Sequence, residues 1–183
     1  EVVAFGALDQ ALEHHHGLGG GGAFIKQYVE RGLDKAGVKL IGPGDVTDDD
    51  LLNGMGDQVI GTITAHFYSA DHPSAKNKAY VEAFKKANNF RPNFMSVGGY
   101  DGMHLIYEAL KKTGGKADAA SLIAAMKGMK WESPRGPISI DPDTRDIVQN
   151  IYMRKVERKG GELYNVEFAT FEAIKDPVKA AKK

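Results

Sequence analysis

Two aspartates beside glycines, Asp45 and Asp101, are the positions of this sequence best suited to hold a small ligand. Asp45 follows Leu40-Ile41-Gly42-Pro43-Gly44, a short apolar run closed by a turn. Asp101 follows Gly98-Gly99-Tyr100 at the head of an apolar helical stripe. The first is predicted at the carboxyl end of a strand and the second at the amino end of a helix, where backbone amides are free and glycine lets a ligand approach. An aspartate there can receive an ammonium group. Tyr100 can pack on an apolar body while its hydroxyl hydrogen-bonds. Each also has a plainer use: Asp45 as a turn cap, Asp101 as a helix cap and Tyr100 as core.

Other chemistry is thinly represented. His66, His72 and His104 are isolated in sequence and form no two-histidine or catalytic pair. Asp48-Asp49-Asp50 has the hard oxygens a divalent ion needs, but after Thr47 it reads as a solvated helix start favoured by the helix dipole. Gly19 to Gly22 lacks the lysine and hydroxyl of a phosphate-binding loop. Leu12-Glu13-His14-His15-His16 reads as a tag-like string, with a flexible loop or a native metal site as alternatives. No catalytic residue, metal site or cofactor is predicted.

Composition narrows the class further. Lys plus Arg and Asp plus Glu both total 24 in 183 residues, so the excess positive charge on which nucleic-acid and polybasic membrane binding rests is absent. Zero cysteines excludes disulfides and thiol nucleophiles and fits either redox compartment. No apolar run approaches the roughly 18 residues that span a bilayer, and Glu1-Val2-Val3-Ala4-Phe5 lacks the basic start of a signal peptide.

The elements that must position these residues alternate. Ile25, Val29, Leu33 and Ala36 mark a helix from Ala23 with Gly37 as its cap, and Val38 to Ile41 a strand. Thr47 is predicted to open a second helix, and Val59 to Tyr68 alternates as a strand with one polar face. Pro73 suits the first turn of a helix burying Ala79, Tyr80, Ala83, Phe84 and Ala87, which Arg91-Pro92-Asn93 breaks. Two more helices carry Met103, Ile106, Tyr107 and Leu110, then Leu122, Ile123, Met126 and Met129. Ile138 to Ile140, Ile147 to Val156 and Leu163 to Phe171 are strands, the last two joined by a Gly160-Gly161 hairpin. The order implies an α/β layered fold with a mixed sheet.

Several segments in succession resemble the solute-binding proteins of branched-chain amino acid type ABC transporters. They are Phe24 to Tyr28, Gly32-Leu33, Leu40 to Asp45, Gly56 to Gly61, Ser96 to Gly102 and Trp131 to Asp141. The resemblance runs from Ala23 to Lys183 and implies a type I periplasmic-binding-protein-like fold: parts of two Rossmann-like lobes joined by a hinge, in a C-terminal portion of a chain about twice as long. It implies that residues 23–65 and 138–183 belong to the C-terminal lobe and 66–137 to part of the N-terminal lobe, with 1–22 an atypical or tag-like segment. Hinge crossings are implied near Thr64 to Ser69 and near Ser133 to Ile138, with Thr64, Ser69, Ser133 and Pro137 as hinge residues. The apolar surface of 66–137 is then expected to stand exposed unless a missing N-terminal half or a second chain covers it.

What the resemblance implies for function is capture of a small carboxylate ligand, such as a branched-chain or other amino acid, in the periplasm. Delivery would be to ABC permease subunits in the inner membrane, with no nucleic-acid partner. Gly44, Asp45, Met95, Tyr100 and Asp101 are the implied ligand-binding residues, with Met95 and Tyr100 on the apolar side. Relatives that bind amino acids place an acidic residue directly after the Gly-Pro pair. Here Gly44 stands at that place and Asp45 one later, which keeps aromatic or keto carboxylates as a second ligand class. Two other classes compete: a ligand-sensing regulatory domain on the same fold, which would adjoin a signalling domain, and a small hydrolase or metal enzyme, which would need Asp45, Asp48 and His66 in one cleft.

Overall fold

The structure is a computed structural model that describes residues 2–4 and 20–180. The His14-His15-His16 string and most of the 1–22 segment lie outside those residues. Strand β1 (Val2–Ala4) is followed by helix α1 (Gly20–Glu30), strand β2 (Lys39–Pro43) and three short 3-10 turns, Gly44–Thr47, Leu52–Met55 and Asp57–Val59. Strand β3 (Ile63–His66) leads into three helices: α2 (Ala75–Asn88), α3 (Phe94–Lys112) and α4 (Ala119–Met126). Strands β4 (Lys130–Ser133), β5 (Gly136–Ile140), β6 (Ile147–Lys159) and β7 (Glu162–Ile174) follow, with a short helix α5 (Pro177–Ala180) at the end.

Local chemistry accounts for these bounds. α1 begins inside the glycine run, ahead of the predicted Ala23, because Gly21 is pressed against the first 3-10 turn. A Cβ on Gly21 would lie 2.2 Å from the Val46 carbonyl oxygen. The helix stops at Gly32, not Gly37: the left-handed φ of +68° lets the Gly32 and Leu33 amides return to the Val29 and Tyr28 carbonyls. Thr47 does not open an α-helix; its hydroxyl donates to Asn165 Oδ1 at 2.9 Å, and the aspartates after it turn inward. Gly61, at φ +88°, cuts the predicted Val59 to Tyr68 strand down to β3. α3 starts at an Asn93–Ser96 capping box, so Gly98 to Asp101 lie one turn inside the helix, where amides are already bonded.

The sheet order is β1-β2-β3-β6-β5-β4, with β7 along the free edge of β6. β1, β2 and β3 run parallel, and every other pairing is antiparallel. β6 is long enough to serve two neighbours on one edge: Ile147 to Gln149 pair with β5, and Tyr152 to Lys155 pair with β3. Register shifts against β7 fall at Gln149/Ile151 and Met153/Arg154, where the strand passes from one neighbour to the next. Such bulges bend a strand and increase its twist.

Hydrophobic burial is uneven. Ile25, Leu40, Val46, Leu52, Met55, Val59, Val156 and Leu163 form one cluster under α1. Burying each such side chain contributes about 1.5–3 kcal/mol. The helical half has no comparable cluster among the described residues. Met103, Ile106 and Tyr107 on α3 and Ile123 on α4, predicted on packed stripes, are 39–56% exposed. These are among the apolar residues of 66–137 expected from the sequence to stand exposed.

Candidate ligand-binding site

β2 and β3 end side by side, Pro43 opposite Ala65. The carboxyl ends of parallel strands are where open α/β sheets receive ligands. What stands there is Gly44 after β2 and His66 closing β3. The two fit as a pair: a Cβ on Gly44 would fall 2.2 Å from His66 Cγ, so the imidazole fills the volume a side chain at 44 would need. His66 stacks on Phe67 with centroids 4.4 Å apart and meets the edge of Phe94 at 4.8 Å. The Arg135 guanidinium sits over Phe67 at 4.7 Å from the ring centroid. Aromatic surface therefore lines this end of the sheet, joined by the first residue of α3.

A buried arginine holds the floor. Arg154 projects from β6 on the inward face it shares with Tyr152 and Val156 and is 1% exposed. Its Nη2 donates to Gly44 O at 2.9 Å and to Thr64 Oγ1 at 3.1 Å, Nε donates to Thr64 at 3.3 Å, and Nη1 donates to Tyr68 O. Asp49 lies 3.9 Å away as its counter-ion. The Asp49 carboxylate also accepts from the Ala70 amide and Asn165 Nδ2. Burial nonetheless raises its pKa, with Arg154 opposing. Burial, then the Arg154 charge, push the His66 pKa down to about 3, so its imidazole is neutral at pH 7.

The acidic run is not solvated. Asp48 and Asp49 are buried, and Asp48 accepts from the Asp49 amide and from Asn93 Nδ2 at 3.2 Å. Burial and the neighbouring Asp50 and Asp49 raise the Asp48 pKa to about 7. No group of histidines and carboxylates arranged for a metal occurs among the described residues.

The structure brings only some of the predicted residues together. Gly44 is buried in the floor, and Asp45 beside it is exposed. Met95 is 60% exposed on α3, one position from Phe94, and Tyr100 packs against the Tyr80 ring at 5.2 Å. Asp101 is occupied internally: its carboxylate accepts from Arg135 Nε at 2.8 Å, Ser133 Oγ at 2.9 Å and Trp131 Nε1 at 3.2 Å. Thr64 serves Arg154. Ser69 is fully buried, its hydroxyl donating to the Asn165 carbonyl at 2.5 Å. Pro137 lies exposed on β5 opposite Glu132. Phe94, Arg135 and Arg154 were missed from sequence, and His66 was named there only for the competing enzyme reading. For Arg154 the signal was present, a charged residue in register with Tyr152 and Val156 on an alternating strand.

Comparison with known proteins gives the family and the fold. The sequence profile of a family described as Periplasmic binding protein matches residues 17–162. The Leu/Ile/Val-binding protein homolog 6 of Brucella abortus is 47% identical over 157 residues, which are 84% of this chain and 40% of that protein. An ABC transporter solute-binding protein from Rhodopseudomonas palustris BisB5, solved in complex with 3,4-dihydroxybenzoic acid, superposes with a TM-score of 0.84 at 73% identity, covering 88% of this chain and 44% of that one. One from R. palustris HaA2, in complex with p-hydroxybenzoic acid, superposes at 0.82 with 41% identity, covering 88% and 45%. The chain thus spans less than half the length of these relatives.

Proposed function

This chain belongs to the periplasmic binding protein family, and on that premise we propose that it forms part of an extracytoplasmic solute-binding component of an ABC importer whose ligand is a hydroxybenzoate-type aromatic carboxylate. The observation that carries the reading is the filled place after Gly42-Pro43. The His66 ring occupies it where an amine-receiving acid would stand, and Phe67 and Phe94 extend an aromatic wall beside it. Aromatic surface of this kind, part face and part edge, suits a benzene ring. The 73% identity to the dihydroxybenzoate-bound relative supports the same ligand class. The protein's partners are then permease subunits that recognise the closed form, reached by a ligand-driven population shift.

Closure needs two bodies and a pivot. We place the pivot at Thr64 to Ser69 and Ser133 to Pro137, with residues 23–65 and 138–183 in one lobe and 66–137 in the other. β6 carries the sheet between them. The exposed apolar faces of α3 and α4 are completed, in this reading, by the remaining polypeptide of the longer protein.

The test is titration calorimetry of the full-length protein containing this segment. Binding of 3,4-dihydroxybenzoate at micromolar or tighter affinity, with leucine at least about a hundredfold weaker, is the expected result. Tight leucine binding without aromatic acid binding overturns the ligand class and returns the amino-acid reading.

A further inference from the structure

We propose that His66 is the specificity-determining residue of this site, presenting a neutral imidazole edge to a ring hydroxyl of the bound acid and so selecting hydroxylated benzoates over benzoate. The inference rests on the aromatic-carboxylate reading above and adds what distinguishes one such acid from another.

Three observations lead to it. The ring is fixed on its inner sides: Gly44 behind it has no side chain, Phe67 lies parallel at 23°, and Phe94 abuts it edge-on at 79°. Its Nδ1 is sealed from water with no hydrogen-bond partner, yet the residue as a whole is only partly buried. The Tyr68 backbone also acts on the ring and opposes the fall in its pKa, so either nitrogen of the neutral ring can carry the proton, and Nε2, which is not sealed, is the polar group left to a ligand. Finally, the guanidiniums of Arg154 and Arg135 both disfavour a charged imidazole, with burial the larger cause. A neutral ring nitrogen pairs with a phenolic hydroxyl in either tautomer, donating to its oxygen or accepting its proton. A carboxylate is better matched by a cation.

A site built to hydrogen-bond a hydroxyl rejects the analogue that lacks it, because the site's own polar group is left without a partner. Titration calorimetry of the full-length protein with 4-hydroxybenzoate, 4-fluorobenzoate and benzoate reads this directly. The wild type is expected to favour 4-hydroxybenzoate over the other two by about ten- to a hundredfold. In His66→Phe that ratio falls to about one, whatever the absolute affinity, and His66→Gln, which keeps an N–H, restores part of it.

Equal affinity of the wild type for 4-hydroxybenzoate and 4-fluorobenzoate overturns the proposal without any variant. So does an equal loss for all three acids in His66→Phe, which would assign His66 to the carboxylate they share. Either result leaves the aromatic-carboxylate reading standing. A wild type that binds none of the three and binds leucine removes both.

Discussion

Replacing Arg154 with methionine removes the group that joins β2, β3 and β6 beneath the candidate site. The side chain is 1% exposed and its nitrogens donate to Gly44 O, Tyr68 O and Thr64 Oγ1, with Asp49 at 3.9 Å. Each carbonyl left buried without a donor costs about 1–3 kcal/mol. Breaking a buried ion pair by removing one partner costs about 3–5 kcal/mol. These overlap, because the same event strands all the partners, and about 3–5 kcal/mol is the expected total. Urea unfolding of the full-length protein, followed by circular dichroism, should show the midpoint falling by about 1–2.5 M for an m-value of about 2–3 kcal/mol/M. Arg154→Lys should recover only part of this, since a single ammonium cannot reach Gly44 O, Thr64 Oγ1 and Tyr68 O together.

The pH dependence has a definite sign. Burial already raises the Asp49 pKa and Arg154 opposes it. Without Arg154 the native carboxyl rises further above its unfolded value, so the native state holds a proton that the unfolded state releases. Stability then falls as pH rises. The variant's deficit against wild type should therefore shrink as pH is lowered from 8 to 5. A loss under about 1 kcal/mol would refute the load assigned to Arg154, and a deficit independent of pH would refute the part assigned to Asp49.

Asp101→Asn should cost about 3 kcal/mol by unpairing Arg135 and should alter the fluorescence of Trp131, whose indole N–H donates to Asp101 at 3.2 Å; unchanged stability with weakened ligand binding would return Asp101 to the ligand. Asp48, at about 7 against an ordinary 3.8, keeps its proton in the native state where the unfolded chain loses it, so stability declines as pH rises through that interval. Asp48→Asn should flatten this decline, gaining on wild type at pH 8 and little at pH 4, as measured by thermal midpoints across pH.

The sequence alone determined the class of fold. Alternation along 147–156 and 163–171, Gly160-Gly161 between them and the helical stripes of 75–88 and 94–112 are local signals, set by backbone geometry and side-chain period. The ordered segments from Phe24 to Asp141 carried the family. The Gly42-Pro43-Gly44 turn marked one edge of the candidate site, and the absence of an acid at Gly44 kept aromatic or keto carboxylates beside amino acids as a second ligand class.

What fills that absence was decided only in three dimensions. His66 is 22 positions away in sequence and meets Gly44 because parallel strands β2 and β3 end together. The same holds for Asp101, whose helical position looked ligand-facing until Trp131, Ser133 and Arg135 arrived from beyond the next helix to claim its oxygens. Asp48 to Asp50 read as solvated because charge runs usually are, and Asp48 and Asp49 turned inward because Arg154, Asn93 and Asn165 converge on them from distant elements. Period and propensity are local properties. The partners that satisfy a buried charge are chosen by topology, and sequence spacing holds no record of which strand ends beside which.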